Sequence, residues 1–575
     1  MHLFELMPGA GSAFSRTRLL LFDHAPYWVP APANAVSEPS CGVSAQATPT
    51  DVSTRTAAKA NDPLIVSKGR GGASVHGRNH TGQVSCLPHL SRFLPRAPMA
   101  NEVSRPPWTE PLFSAVLSRV TTTSVLPGPD LDDLIEAESE AFLARQPRSR
   151  AMIARAQASL AGGATSNWQI AAPQAVWISH GAGSKVYDVD GTEYSDFHGG
   201  YGVGLAGHAH PAIVAAVRDR VGQGTHFAQP TEDAIAVAEE LARRWGLPSW
   251  RFANSGTEAT MDAVHLMRAA TGRDRIVKLE GGYHGHHDSV QVSVLPEPEE
   301  MGPAEAPYAV PAQAGLPLAM TSLVDVVPFN DLGAVERVLA ARPGQVAGMI
   351  LEPLMMNAGV IHPEPGYLAG LRDLLHAHDA LLTFDEVKTG LTVGPGGVTA
   401  LSGVTPDLVC LAKAIGGGIS TAAIGGTEAL MGLIADGTYE QVGTFNGNPL
   451  AMAAARAMLT EVATEAAYAH LERLRLRMAA GIEAVIAEHG LPWRVVTAGA
   501  KGCIAFRADP IRDYRDFLQV DDRLGQAHWL VQHNGGVFLP PWGKIEQWLL
   551  SVQHIDADVD RFVGNVARLG RAVAG

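Results

Sequence analysis

Cysteine is scarce: four residues, Cys41, Cys86, Cys410 and Cys503, are spread through 575 positions without a CxxC pair or framework spacing. That scarcity excludes a disulfide-stapled scaffold and a thiolate zinc site, and it suits a reducing compartment, so the expected location is cytoplasmic. Long apolar runs are missing too. No stretch approaches the roughly 18 residues that a membrane span requires, and no membrane partner is expected. Positive charge is in deficit, since the formal net charge is −14 and no basic stripe stands out in the body of the chain. A nucleic-acid backbone is therefore not an expected partner. The GxxxxGK(S/T) pattern is absent, which excludes a nucleotide P-loop. What the sequence does hold is a globular balance, 46% hydrophobic and 18% charged, with 60 glycines and 38 prolines. Such a composition argues for packed tertiary structure with many tight turns, the pattern of α/β enzymes whose loops carry chemistry.

Residues 1–98 differ from the rest. They are rich in Pro, Ser, Gly and Ala, show no sustained hydrophobic period, and carry nine Lys/Arg against five Asp/Glu in a chain that is acidic as a whole. A segment of that kind buries too little apolar surface to offset its ordering entropy, so disorder is the expectation for it. Its basic, acid-poor character matches a transit peptide; the simpler and preferred reading is that the natural protein begins at Met99. From Leu131 the pattern turns helical, with Asp132 and Asp133 at a helix start and Leu131, Leu134, Ile135 and Phe142 on one face. Residues 176–179 and 184–194 read as short strands, the second folded at Asp190-Gly191 into a hairpin. Residues 347–351, 366–379 and 380–384 read as strand, helix and strand, a βαβ unit, and 408–411 as a further strand. A mostly parallel sheet covered by helices follows, and ligands of such sheets bind beyond the carboxyl ends of the strands. Glu352, Asp385 and Lys413 each fall just past such an end. An Ala-rich helix is expected over 450–461, leading into a final α+β region.

Asn254-Ser255-Gly256-Thr257-Glu258 follows a predicted strand at 250–253 and opens a helix, so its small turn can present unpaired N–H groups to an anion such as phosphate. The same residues also spell a capping box. Lys413 lies among apolar residues before Gly416-Gly417-Gly418, a setting that disfavours the ammonium and makes the amine nucleophilic toward carbonyls. Asp385 ends a strand too apolar to be exposed, and a buried carboxylate needs a cation or several donors. A protonated pyridine nitrogen would serve; phosphate, imine-forming lysine and aspartate together describe pyridoxal phosphate. The stretch 202–207 matches GxGxxG, but it follows a meander and reads as close packing, not as a dinucleotide site. A rival from another class is a metal-dependent hydrolase. His284, His286 and Asp288 reproduce the HxHxD start of such a site, with Ser289 where that pattern wants another histidine.

Taken with 280–286, Glu352-Pro353, 384–390, Pro406-Asp407, 411–418 and 443–449, the 254–259 block resembles the class III pyridoxal-phosphate aminotransferases. Within them it is most similar to the glutamate-1-semialdehyde 2,1-aminomutase subgroup, over roughly residues 130–570. The resemblance implies an α/β, fold-type I PLP-dependent transferase. Its large domain (200–449), with a mostly parallel sheet, would hold pyridoxal 5'-phosphate, and a smaller α+β domain would be built from 99–199 and 450–575. It further implies that Lys413 forms the Schiff base and shuttles the proton between Cα and C4′, that Asp385 keeps the ring nitrogen protonated, and that Tyr283 stacks on the ring. Ser255, Gly256 and Thr257 would bind the phosphate, joined by Thr444 from the neighbouring subunit of a homodimer, and Asn357 would hydrogen-bond the phenolic oxygen. Two departures bear on the substrate. Gln169 stands where the aminomutases have an arginine for the substrate carboxylate, and an amide cannot replace a guanidinium fork without losing charge. Lys388 stands where methionine is usual, as a substrate contact or as a salt-bridged structural lysine; Glu546 corresponds to a glutamate near the site entrance. The expected activity is amino-group transfer between a small-molecule amino donor and a carbonyl acceptor, with the intramolecular 2,1-shift as the alternative.

Overall fold

A computed structural model describes residues 131–541, 543–544 and 547–574; the leader 1–98, the stretch from there to 130, and Glu546 lie outside the described residues. Strands β1 (Ile178–Ala182), β2 (Lys185–Asp188) and β3 (Glu193–Asp196) form the antiparallel meander expected around Asp190-Gly191. Its turn is pinned from outside, because Asp190 accepts the backbone N–H groups of Arg148 (2.7 Å) and Ser149 (3.1 Å).

The main sheet has seven strands: β4 (Ser249–Ala253), β5 (Arg275–Leu279), β6 (Val324–Val327), β7 (Val346–Leu351), β8 (Leu381–Asp385), β9 (Leu408–Leu411) and β10 (Ala422–Gly426), in the order β4-β10-β9-β8-β7-β5-β6. Pairs β6–β5, β5–β7, β7–β8 and β8–β9 are parallel, while β10 runs antiparallel to both of its neighbours. Strand β7 is buried along its whole length. A parallel strand with helices over both faces has no wet side, so its sequence is a continuous apolar run and not an alternation. Helices Gly256–Thr271, Leu332–Ala341 and Tyr367–Ala377 make the crossovers. The carboxyl ends of β4, β5, β7, β8 and β9 therefore open onto one edge, and β10 starts from that same edge.

Two smaller sheets use the end of the chain. Strand β11 (Arg494–Ala498) pairs with β12 (Lys501–Ala505), and β13 (Val537–Phe538) adds to β3 in parallel. Strand β14 (Trp548–Leu549) pairs with β12. The last helix, Asp556–Ala574, brings Asp558 against the meander, where Ser184 Oγ (2.8 Å), Ser195 Oγ (2.7 Å), the Ile555 N–H (3.1 Å) and the Lys185 ammonium all donate to its carboxylate. Burial pushes that carboxyl upward, but the Lys185, Ser195 and Ser184 donors more than reverse it and hold it at about 2. The Ala-rich helix starts at Pro449, capped by Asn448 Oδ1 on the Ala451 N–H at 3.0 Å. Its last turn, Met458–Val462, widens into a π-helix. Arg244 explains the widening: its Nη2 donates to the carbonyls of Leu459 (2.7 Å) and Ala463 (3.1 Å), drawing them out of the regular ladder. No described helix is long and apolar enough to cross a membrane.

Candidate active site

The edge of the main sheet is built first around residues 254–257. Ser255 caps the helix Gly256–Thr271 in a reciprocal box: its Oγ accepts the Glu258 N–H (3.3 Å), and Glu258 Oε2 accepts the N–H groups of Ser255 (2.8 Å) and Asn254 (2.6 Å). Capping box and anion cradle are thus the same structure, because the N–H groups of Gly256 and Thr257 have no acceptor within the helix and sit at its positive end. Gly256 is needed for space. A Cβ there would stand 2.9 Å from the Val387 side chain.

The loop after β5 folds back onto this turn. Gly285, at φ +100°, lets the chain press against Thr257, whose Oγ1 accepts the His286 N–H at 3.1 Å. Thr260 Oγ1 donates to the His284 carbonyl at 2.6 Å. Glu352, just past β7, accepts the N–H groups of Tyr283 (3.2 Å) and Met356 (2.8 Å). Burial first, and then the charge of Asp385, raise the pKa of the Tyr283 phenol.

At the end of β8, Asp385 is buried, with one donor on each oxygen: His284 Nδ1 at 2.8 Å and the Val387 N–H at 3.0 Å. A carboxylate can accept about four hydrogen bonds, so half of its capacity remains. The next residue contrasts with it. Glu386 accepts from Trp245 Nε1 (3.2 Å), Thr389 Oγ1 (2.9 Å), the Val398 N–H (2.6 Å), and both the N–H (2.9 Å) and Oγ1 (2.7 Å) of Thr399. One strand over, β9 delivers Lys413 in a left-handed backbone conformation, φ +52°, sparsely populated by residues other than glycine and characteristic of functional sites.

These pieces enclose a cavity of about 430 Å3. Ser255, Gly256, Thr257, Tyr283, Asn357, Asp385, Lys388 and Lys413 all line it. Lys388 is buried there, its Nζ 3.1 Å from the Met356 carbonyl. Other expected residues stand elsewhere. Gln169 is exposed and outside the cavity lining, its Oε1 accepting from the N–H (3.1 Å) and Oγ1 (2.7 Å) of Thr165. Its neighbour Trp168 meets Tyr283 edge-on at 5.6 Å, a contact that sequence reading missed and that an isolated tryptophan did not signal. Thr444 is exposed and away from the cavity of its own chain, and Glu546 lies outside the described residues. The metal rival does not survive. The His284 imidazole is committed to Asp385 while His286 and Asp288 are exposed, and no cluster among the described residues could hold a metal ion. His284 is instead the unanticipated partner of Asp385. A lysine that sequence reading missed, Lys501, is buried on β12; a Cβ on Gly202 would lie 3.5 Å from both its Cε and Lys413 Cδ.

The residues present fit pyridoxal phosphate. A helix N-terminus faces the cavity for a phosphate dianion, Asp385 has acceptor capacity left, and the buried Oδ1 of Asn357, at the cavity wall, has no hydrogen-bond partner. A buried polar atom of that kind calls for a partner supplied from outside the chain. The family model described as Aminotransferase class-III matches residues 169–546. A glutamate-1-semialdehyde 2,1-aminomutase of Roseiflexus castenholzii is 38% identical over 437 residues, covering 74% of this chain and 98% of that protein. Among solved structures, an omega-transaminase from Sphaerobacter thermophilus shares the fold at 34% identity and a TM-score of 0.71, covering 74% of this chain and 98% of its own. A glutamate-1-semialdehyde-aminomutase from Pseudomonas aeruginosa PAO1 in complex with PMP does so at 31% identity and a TM-score of 0.71, covering 77% and 98%. With the fold, the cavity and these relatives in agreement, the chain belongs to the class-III aminotransferases, pyridoxal-phosphate-dependent enzymes of α/β fold type I.

Proposed function

We propose that the protein transfers an amino group from a small-molecule amine or amino-acid donor to a separate carbonyl acceptor, as a cytoplasmic homodimer with its sites at the subunit interface. The observation that carries this reading is the convergence of Lys413, Asp385 and the 254–257 turn on one cavity. Ser255, Gly256 and Thr257 would hold the cofactor's phosphate, Tyr283 would lie against its ring, and Asn357 would meet its phenolic oxygen. Bound pyridoxal phosphate supplies an aldehyde that takes up the amino group and a ring that accepts the electron pair left when the substrate Cα–H bond breaks. Asp385, oriented by His284, would hold a proton on the ring nitrogen. Lys413 would hold and move the proton of the substrate Cα, a role suited to an amine in a confined, partly apolar site.

The subunit contact is supported by the segment around Thr444, where Val442 (77% exposed) and Phe445 (58% exposed) present apolar surface beside Asn446, which accepts from Asn254 Nδ2 at 2.9 Å. The division into a cofactor-binding domain at 200–449 and a smaller one from 99–199 and 450–575 belongs to the same reading, supported by the joining of β13 to β3. A second reading, an intramolecular 2,1-amino shift, is favoured by the aminomutase relatives. Transfer between molecules is preferred because Gln169 supplies no guanidinium and is turned back onto Thr165. Nitrogen-15 labelling separates the two. A donor labelled at its amino group should pass the label to a different acceptor molecule; label that only changes carbon within one skeleton overturns the proposal in favour of the shift.

A further inference from the structure

Strand β5 carries a residue that its surroundings do not ask for. Lys278 is fully buried, and its registered neighbours on β6 and β7 are Val326 and Ile350. A lysine is almost never enclosed in this way without a specific set of partners. Here the partners are three main-chain carbonyls: Leu279 (3.1 Å), Gly282 (2.9 Å) and Val292 (2.5 Å). An ammonium has three N–H donors, so the three carbonyls saturate it and leave none over. Those carbonyls are not scattered. Leu279 opens the loop after β5, Gly282 directly precedes Tyr283, and Val292 closes the loop, whose ends are also joined by the Gly281 N–H on the Ser293 carbonyl at 2.9 Å.

We propose that Lys278 is a positioning residue for the reaction: its ammonium ties together both ends of the 279–292 loop and so fixes where Tyr283 and His284 stand against Asp385. The inference rests on the amino-transfer reading for its consequence in turnover, though not for its structural content. Backbone N–H groups on β5 are spent on the sheet, and only a long side chain carrying several donors can gather three carbonyls that point inward from one loop. Two carboxylates frame the ammonium: Glu352, which accepts from Tyr283 and Met356, and Glu280, paired with Arg515 at 2.8 Å. Burial pushes Lys278 down to about 7, and these two charges draw it back upward. Methionine in its place would fill the space and leave the three carbonyls without their donor.

The test uses the holoenzyme of wild type, Lys278→Met and Lys278→Gln. The expected result is a fold retained by far-ultraviolet circular dichroism together with amide hydrogen exchange about tenfold faster across 280–292 and unchanged in β7 and β8. The visible circular dichroism of the bound cofactor should weaken, and kcat for the donor half-reaction should fall about 10- to 100-fold with KM moving less than about threefold. Wild-type loop exchange and an unaltered cofactor band in Lys278→Met overturn the proposal, as does faster exchange spread evenly over the sheet. Failure of both variants to fold overturns it as well, because a positioning residue must be removable without loss of the fold. A wild-type protein that moves no amino group sinks the transfer reading instead, and the exchange and dichroism comparisons still decide the role of Lys278.

Discussion

Two buried aspartates, one where the last helix meets the meander and one at the edge of the main sheet, are held in opposite ways. Asp558 takes four donors from Ser184, Lys185, Ser195 and Ile555, which fill its acceptor sites. Asp385 takes two, from His284 and Val387, and turns the rest of its capacity toward a cavity. The meander region uses its polar groups to join distant segments; the sheet edge holds one in reserve. Glu386, beside Asp385, is saturated by five donors, so that of two adjacent buried acids one is filled by the protein and the other keeps acceptor capacity. Partner capacity, more than burial, separates the two kinds of site.

Lys413→Ala should lower turnover by more than about 10³-fold, since covalent and proton-transfer roles vanish together, with the fold unchanged by circular dichroism. Borohydride trapping followed by peptide mass spectrometry should place the pyridoxyl group of the wild type on Lys413, and label on Lys388 would reverse the assignment. Asp385→Asn keeps the shape and removes the charge, so cofactor should still bind while single-turnover proton abstraction slows by about 10² to 10³-fold. Near-normal rates would mean that its spare capacity has no chemical use.

Asp558→Asn should do the reverse: kinetic constants unchanged, stability at pH 7 lower by about 2 kcal/mol in urea unfolding. The sign follows from a folded-state pKa of about 2, below the ordinary aspartate value of 3.8. The carboxylate stabilises fully above the unfolded value, and that contribution is lost as pH falls through about 2, so wild type and variant should converge in acid. A gap between them that persists at the lowest pH would trace the effect to packing. Smallest of all, Gln169→Ala should leave kcat/KM within about twofold, as its amide is turned to Thr165; a tenfold change would return it to the substrate.

Much of this was legible in sequence. The β7–helix–β8 unit announced itself because a parallel strand covered on both faces has no wet side, and residues 347–351 and 380–384 are apolar but for Thr383. The 254–259 turn was readable because a helix start needs a cap at a fixed spacing, and Lys413 and Asp385 because each follows such a strand. The partners were not readable. His284 and Asp385 lie 101 positions apart, and the spacing of His284, His286 and Asp288 carried a metal signal that their side chains do not honour in space. Strands β13 and β14 hold two residues each, too few for any period, and they exist because β3 and β12 offer them a ladder. The place of Lys278 could not be read either, because nothing local in the sequence shows three carbonyls converging on it.

The antiparallel insertion of β10 has a consequence for biosynthesis. Strand β4, which leads into the 254–257 turn, has β10 as its sole neighbour among the described strands, and Ser420, just before β10, secures the Asn254 carbonyl from 166 positions along the chain. At roughly 5–20 residues per second a ribosome needs on the order of ten seconds or more to supply that distance. Throughout that interval β4 lacks its sheet partner, and an unpaired strand edge is a hazard for association with other nascent chains. On the proposed assignment of the 254–257 turn to the cofactor's phosphate, cofactor capture would wait on translation of β10.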